Sequence, residues 1–262
     1  MRDNQFRLML NEGKPTVGTR IWSTWPVITE TCASTGIFDY VEFVAEYSPF
    51  TQHDLEGLAM ACELHGISSM IKVDFQNRFY VAQRALAAGF QAVMWTDHKT
   101  AQEVKESLYA INPDCPEFAG RFGYPNNRFP YFQPYLTQME HAKLVKQTVN
   151  CFMIEKEETM KNLDEICSVP GVDMVQFGPS DYCMSRGWDV KNHRDEAREV
   201  EEEMIKIALK HGVQPRCELD TPEKAEYYKA LGVKHFCVFD EIRDHQAIWN
   251  GPCKQVADIA RR

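Results

Sequence analysis

Polar residues that could do chemistry close each of a series of short apolar runs in this sequence. Arg20 lies in the first run, Glu46 and Tyr47 follow the second, Lys72 ends the third, and Asp97 and His98 follow the fourth. Glu155 comes directly after Cys151-Phe152-Met153-Ile154, and the next run leads into Gly178-Pro179-Ser180-Asp181. The last two lead into Glu218 and Asp220, and into Asp240 and Glu241. Glu155 and Asp181 carry the clearest chemistry. Two carboxylates brought together by neighbouring strand ends repel unless a cation lies between them, and oxygen donors that leave positions for water or substrate suit Mg²⁺, Mn²⁺ or Co²⁺. Plainer readings of the same residues stay open: Glu155 caps the next helix or pairs with Lys156 or Lys72, and Asp181 is a helix N-cap. The tight turn through Gly178, Pro179 and Ser180 offers backbone N–H groups that can hold a carboxylate or enolate oxygen. His53, His98 and His141 have no partner at metal-ligand spacing and read as surface or internally satisfied histidines. Ser180 has no neighbouring His and no nucleophile elbow, so serine hydrolysis is unsupported.

These residues need elements that bring them to one place. The runs Val17–Trp22, Tyr40–Ala45, Ser68–Val73, Gln91–Thr96, Asn150–Glu155, Asp173–Phe177, Val213–Cys217 and His235–Phe239 read as strands. Amphipathic stretches lie between them: Asp54–His65, Ala82–Ala88, Thr100–Ala110, Glu157–Ser168, Glu196–His211 and Thr221–Leu231. Several of these stop at a glycine just before the next strand, namely Gly66, Gly89, Gly212 and Gly232, the usual chemistry of a helix C-terminus. Strands alternating with helices imply parallel strands joined by crossovers. The repeat predicts an α/β fold, a (β/α)₈ TIM barrel, rather than an open Rossmann sheet, whose GxGxxG fingerprint is absent. In that barrel the C-terminal strand ends share one mouth, which is where the polar residues fall. Residues 1–262 form one domain, with a long loop after the fourth helix. That stretch, 112–134, is rich in Pro, Asn, Phe and Tyr and lacks periodicity, and is expected to be a lid or an interface. The acidic run Asp195–Lys206 reads as a solvated helix face.

Composition removes several function classes. A chain of 262 residues that is 44% apolar can build a core without disulfides. Its nine cysteines include no CxxC pair, which excludes the common zinc and redox motifs and predicts reduced thiols. The N-terminal stretch lacks the apolar core and cleavage site of a signal peptide, and no apolar run approaches the roughly 18 residues of a membrane span. A cytoplasmic location is expected, with no membrane partner. With 29 basic against 38 acidic residues and no basic cluster, nucleic acid is also excluded as the main partner.

The segment Met153-Ile154-Glu155-Lys156 through Met160-Lys161-Asn162-Leu163-Asp164-Glu165-Ile166, then Gly171-Val172-Asp173 and Phe177-Gly178-Pro179-Ser180-Asp181, closely resembles the HpcH/HpaI aldolase family. Weaker similarity runs from about Gly18 to Asp240, including Phe38-Asp39-Tyr40 and Ala88-Gly89-Phe90-Gln91-Ala92. The resemblance implies a metal-dependent (class II) aldolase acting on pyruvate and an aldehyde. It implies hexameric barrels, a trimer of dimers, in which the C-terminal helix, here 241–262, swaps between neighbours. Carried over by position, Glu155 and Asp181 are metal ligands and the Gly178–Asp181 backbone faces the pyruvate carboxylate. The other half of the family's site is rewritten. Tyr47 replaces the acid/base histidine, Val44 its supporting aspartate, and Lys72 the arginine that steadies the pyruvate oxygens. Lysine keeps the charge but loses the bidentate fork. Arg20 stands where the family has an aromatic or apolar residue and is expected to supply the missing guanidinium.

The reading that follows is a metal-dependent carbon–carbon lyase that cleaves or forms a 4-hydroxy-2-oxo acid through a pyruvate enolate. Tyr47, or Glu46 through a water, is the expected acid/base, with the phenol pKa lowered by a cation and Lys72; Arg20 and Lys72 bind carboxylate and enolate charge. Decarboxylation, hydration or tautomerisation of a 2-oxo acid shares the same enolate and is the first alternative. A non-catalytic ligand-binding barrel is the second.

Overall fold

Eight parallel strands close into a barrel in the order β1 to β8. They are β1 (Thr16–Ile21), β2 (Tyr40–Val44), β3 (Ser68–Lys72), β4 (Ala92–Trp95), β5 (Val149–Ile154), β6 (Met174–Phe177), β7 (Gln214–Leu219) and β8 (His235–Asp240). The computed structural model describes residues 3–124, 128–129, 132 and 136–262. Each expected strand is present within a residue or two, and the barrel is the expected (β/α)₈ fold. The four expected helix stops, Gly66, Gly89, Gly212 and Gly232, all have positive φ, so each helix ends in the left-handed turn that feeds the next strand.

Side-chain alternation along the strands builds two cores. Ile71, Val93, Trp95, Phe152, Ile154, Val175 and Cys217 point outward and pack against Leu58, Leu86, Met204 and Ala208 of the surrounding helices. Met70, Met94, Cys151, Met153 and Met174 point inward and fill the barrel with Phe6 and Tyr40. The period of two then fixes the mouth. Lys72 follows inward Met70, Glu155 follows inward Met153, and Gly178 follows inward Met174 and Gln176, so all three come to the same opening.

A short N-terminal helix, Gln5–Asn11, plugs the opposite end. Phe6 stacks on Tyr40 with ring centroids 4.3 Å apart, and Arg7 holds Asp173 through bonds of 2.7 and 2.6 Å. Tyr40 fits inside because residue 18 is glycine; a Cβ there would lie 2.3 Å from the ring. Above this floor a polar layer crosses the barrel. Arg216, fully buried, pairs with Glu42 at 2.5 Å and donates to Tyr40 Oη at 2.6 Å and to Gln176 Oε1.

Several elements depart from expectation. Short helices at Pro26–Ala33, Gln138–Val145 and Pro179–Ser185 join the N-terminal plug as unpredicted elements. The single helix expected over Glu157–Ser168 is two, Glu157–Lys161 and Leu163–Cys167, broken at Asn162, whose amide donates to Lys99 O at 2.8 Å. The C-terminal helix is also interrupted. Glu241–Ile248 and Lys254–Ala260 flank a π-helical turn at Trp249–Cys253 that contains Pro252, which cannot donate to the helical ladder. Of the expected lid or interface loop 112–134, residues 125–127, 130–131 and 133–134 lie outside the described residues. Its described part packs on the side of the barrel: Phe122 and Phe129 join the outer core, and Arg128 pairs with Glu63 at 2.5 Å.

Candidate active site

Glu155 is the deepest acid of the mouth, 2% exposed at the end of β5. Its Oε1 accepts the Asp97 N–H at 2.7 Å, a bond that Asp97 reaches by adopting φ 59°. Its Oε2 faces Gly178, where a Cβ would stand 3.3 Å away. Burial pushes the Glu155 carboxyl up to about 7, against the pull of the Asp97 N–H and the Lys72 charge. Neither plain alternative for Glu155 is realised. Lys156 pairs with Asp97 at 2.9 Å, and Lys72 pairs with Glu46 at 2.6 Å.

Asp181 sits in the first turn of Pro179–Ser185, where Gly178, not Asp181, is the N-cap. Its charge reaches both Tyr47 and Lys156, as does that of Glu155, so the two acids overlook the same space. The turn offers fewer free N–H groups than the sequence suggests. Gly178 N donates to Ile154 O at 3.0 Å and Pro179 has no N–H, while the first helical bond runs from Tyr182 N to Gly178 O. Among the described residues, the Ser180 and Asp181 amides therefore lack a backbone acceptor.

The remaining candidates form two groups. Lys72 and Glu46 are an ion pair beside Tyr47, with Lys72 Nζ 5.7 Å from the Tyr47 ring centre. Burial opposes the Lys72 charge, but Glu46 outweighs it and holds the ammonium above the ordinary lysine value. Tyr47 is 62% exposed and stacks on Trp22 at 6.4 Å, a partner that the sequence reading did not single out. The protein's own groups act against the lowered phenol pKa expected from a bound cation. Partial burial and the carboxylates of Glu46, Asp181 and Glu155 push the Tyr47 hydroxyl up. Arg20 lies with the other group. Its guanidinium makes two bonds to Glu218, of 2.6 and 2.9 Å, and approaches Asp240 at 3.6 Å. Its charge is thus already answered by this chain, and Glu218 is tied through Gln176 to buried Arg216.

A divalent metal fits the Glu155 and Asp181 side of the mouth. The buried Glu155 carboxylate has one hydrogen bond and no direct cationic partner among the described residues, and Asp181 overlooks the same Tyr47 and Lys156. No cluster of three or more His, Cys, Asp or Glu donors occurs among the described residues, so protein would supply two ligands and leave the other positions to water or substrate.

The model of the HpcH/HpaI aldolase/citrate lyase family matches residues 23–232. The chain belongs to this family. Among its HpcH/HpaI relatives, a hydroxypyruvate/pyruvate aldolase of Rhizorhabdus wittichii is 26% identical over 186 residues, covering 70% of each chain. A 4-hydroxy-2-oxo-heptane-1,7-dioate aldolase of Escherichia coli is 23% identical over 232 residues, covering 88% of this chain and 86% of the relative. The solved structure of an HpcH/HpaI aldolase from Desulfitobacterium hafniense superposes with a TM-score of 0.86 at 22% identity, covering 95% of each chain. The expected membership and barrel both hold, and the family is one of aldolases and citrate lyases. No helix among the described residues is long and apolar enough to cross a membrane.

The sequence reading missed the HpcH/HpaI chain's supporting residues rather than its strand ends. Asp97 was visible as a polar residue after β4, but its left-handed backbone was not. Arg216 carried a signal, a charge two positions before Glu218 on the inward face of β7, that composition alone cannot convert into a partner.

Proposed function

We propose that this chain is a divalent-metal-dependent carbon–carbon lyase that cleaves or forms a 4-hydroxy-2-oxo acid. The observation that carries the reading is Glu155: a carboxylate buried at the barrel mouth, with no direct cationic partner among the described residues, and acting on the same Tyr47 and Lys156 as Asp181. Mg²⁺, Mn²⁺ or Co²⁺ held by Glu155 and Asp181 would supply Lewis-acid polarisation of the 2-oxo group. Cleavage breaks the bond between C3 and C4, leaves a pyruvate enolate and releases an aldehyde. The Ser180 and Asp181 amides orient the pyruvate carboxylate. Lys72, kept as an ammonium by Glu46, offsets the charge of the enolate.

The 4-hydroxyl proton must leave as the bond breaks. Tyr47 is a poor base by itself, since its hydroxyl is pushed up. It suits a relay: the phenol oxygen takes the substrate proton while its own passes to Glu46, so no free phenolate forms. The reverse transfer delivers a proton to the aldehyde oxygen during synthesis. Exposure of Tyr47 beside Trp22 supports a relay on the side open to an entering aldehyde. The raised Tyr47 also favours a second reading, decarboxylation or tautomerisation of a 2-oxo acid, which needs the enolate half of the site but no base for a hydroxyl.

The C-terminal arm fits a homo-oligomer. From Glu241 onward the arm's helices bury no residue, and Ile248, Trp249, Val256 and Ile259 are exposed. A second copy that receives this arm covers that apolar surface. The function is tested by incubating the protein with 4-hydroxy-2-oxo acids of varied chain and following pyruvate release. Release that stops with EDTA and returns with Mn²⁺ supports the lyase. Pyruvate release that ignores chelation contradicts it, and release of CO₂ alone selects the second reading.

A further inference from the structure

Behind the Gly178–Asp181 turn, the ends of β6, β7 and β8 leave a second cavity of about 600 Å³. Arg20, Glu218 and Arg243 line its polar side, and Phe177, Leu219 and Phe239 its apolar side. The polar side is a closed set of alternating charges. Arg20 is bonded to Glu218 at 2.6 Å and lies 3.6 Å from Asp240, while Arg243 is bonded to Asp240 at 2.6 Å and lies 3.9 Å from Glu218. Gln176 fixes Glu218 from the barrel interior at 2.8 Å. Further out, Lys224 pairs with Asp220 and Arg198 with Asp195. Arg194, exposed at the outer edge, is the one lining cation without such a partner among the described residues, and the half-buried Glu201 carboxylate, held by Tyr228 at 2.7 Å, balances it in sign.

This arrangement selects against ions. A ligand carboxylate or phosphate entering beside Arg20 would face Glu218 and Asp240 and would have to displace one of them. A hydroxyl needs no displacement, because it can accept from a guanidinium N–H and donate to the neighbouring carboxylate at once. The apolar side suits the C–H face of the same ligand. Phe239 stands there, 44% exposed, with φ 55° at the point where the β1–β8 register slips. A bulky residue in that backbone region is strained, and such strain gathers at ligand sites.

We propose that this cavity binds an uncharged, polyhydroxylated segment, its hydroxyls bridging the Arg20–Glu218 and Arg243–Asp240 pairs and its C–H face resting on Phe239. The cavity reaches Pro179, next to the Ser180 and Asp181 amides, so in the lyase the segment is the hydroxylated tail of the acceptor aldehyde. That last assignment rests on the proposed lyase function; the cavity's preference for hydroxyls over charge does not.

Saturation-transfer NMR with three four-carbon probes tests it: D-threitol, butane-1,4-diol and succinate. Saturation of threitol should exceed that of either other probe by about tenfold, the selectivity of a site built to bond hydroxyls. Phe239→Gly should lose the threitol signal while folding at least as well, since glycine accepts φ 55°. Arg243→Gln should weaken it by about tenfold as well, by opening the charge set. Absent threitol transfer, transfer unchanged in both variants, or displacement of threitol by succinate would overturn the proposal. The same wild-type sample, given pyruvate in D₂O with Mn²⁺, reports separately on the lyase: no methyl-proton exchange alongside selective threitol transfer would defeat the enolate reading and leave the hydroxyl site standing.

Discussion

Glu155 reaches its position because Gly178 has no side chain: a Cβ at 178 would lie 2.9 Å from Glu155 Cβ and 3.3 Å from Oε2. The strand that ends in the acid and the strand that leads to Asp181 are neighbours, β5 and β6, paired through Ile154 and Phe177 one residue before this pair. Gly178→Ala should therefore displace the Glu155 carboxylate without exposing it. We expect Mn²⁺ affinity, measured by calorimetry, to fall by about 10–100-fold, the usual cost of disturbing the support of a metal ligand. Unchanged affinity would mean that Glu155 is not a ligand or that it reaches the ion from another rotamer.

Proton competition should govern the same affinity. Glu155 is pushed up to about 7 from an ordinary 4.5, so at mildly acid pH a proton must leave before a cation binds. Apparent Mn²⁺ affinity should rise about tenfold per pH unit up to about pH 7 and then level off. The sign for folding without metal is opposite. A carboxyl whose pKa is raised contributes stability below pH 4.5 and loses that contribution as pH climbs through about 7. Glu155→Gln should remove the break near pH 7 from both the binding and the denaturation profiles.

Acid should unfold the protein through two buried histidines that the site does not use. Burial, reinforced by nearby cations, pushes His98 down to about 3 and His235 down to about 4, from an ordinary 6.5. Their rings are held neutral, His98 against Ser107 Oγ at 2.6 Å and His235 against Thr16 Oγ1 at 2.9 Å. A depressed pKa contributes stability above pH 6.5 that is lost as pH falls toward 4 and 3. In Glu155→Gln, which removes the opposing contribution of that carboxyl, urea midpoints should drop between pH 6.5 and 4 by an amount worth up to a few kcal/mol. A flat profile across that window would contradict the neutral, buried state of both rings.

Tyr47→Phe keeps the stack on Trp22 but removes the relay oxygen. On a substrate that the protein cleaves, kcat should fall by about 10²–10⁴-fold, while KM for the 2-oxo acid moves little. Full kcat in the variant would exclude the tyrosine and leave Glu46, through water, as the base to examine. Tyr47→His should recover only part of the rate, because Val44 supplies no carboxylate to orient the imidazole, and adding Val44→Asp should raise it.

The barrel and the acids of its mouth were legible in the sequence because both rest on local rules. Strand runs, helix-stop glycines and a side-chain period of two decide which of Lys72, Glu155 and Gly178 point inward, and neighbouring strands then bring them together. What the sequence withheld is long-range pairing. Nothing local tells that Arg20 on β1 answers Glu218 on β7 instead of facing the metal acids, or that Lys72 prefers Glu46 to Glu155. The direction in which the protein's own groups push Tyr47 escaped for the same reason: it is set by partial burial and by the carboxylates of Glu46, Asp181 and Glu155, the last two from distant parts of the chain. Short helices such as Pro26–Ala33 escaped because their one or two turns carry too little periodicity to read.

Deuterium exchange into the methyl group of pyruvate tests the central claim most directly, because it requires the enolate site and no knowledge of the aldehyde. In D₂O with Mn²⁺, Mg²⁺ or Co²⁺ the wild-type protein should wash out the methyl protons. EDTA should stop the exchange, and Glu155→Gln should abolish it while the fold is kept. Exchange that persists in EDTA, together with a pyruvyl adduct trapped on Lys72 by borohydride, would contradict the account and assign the chemistry to a Schiff base.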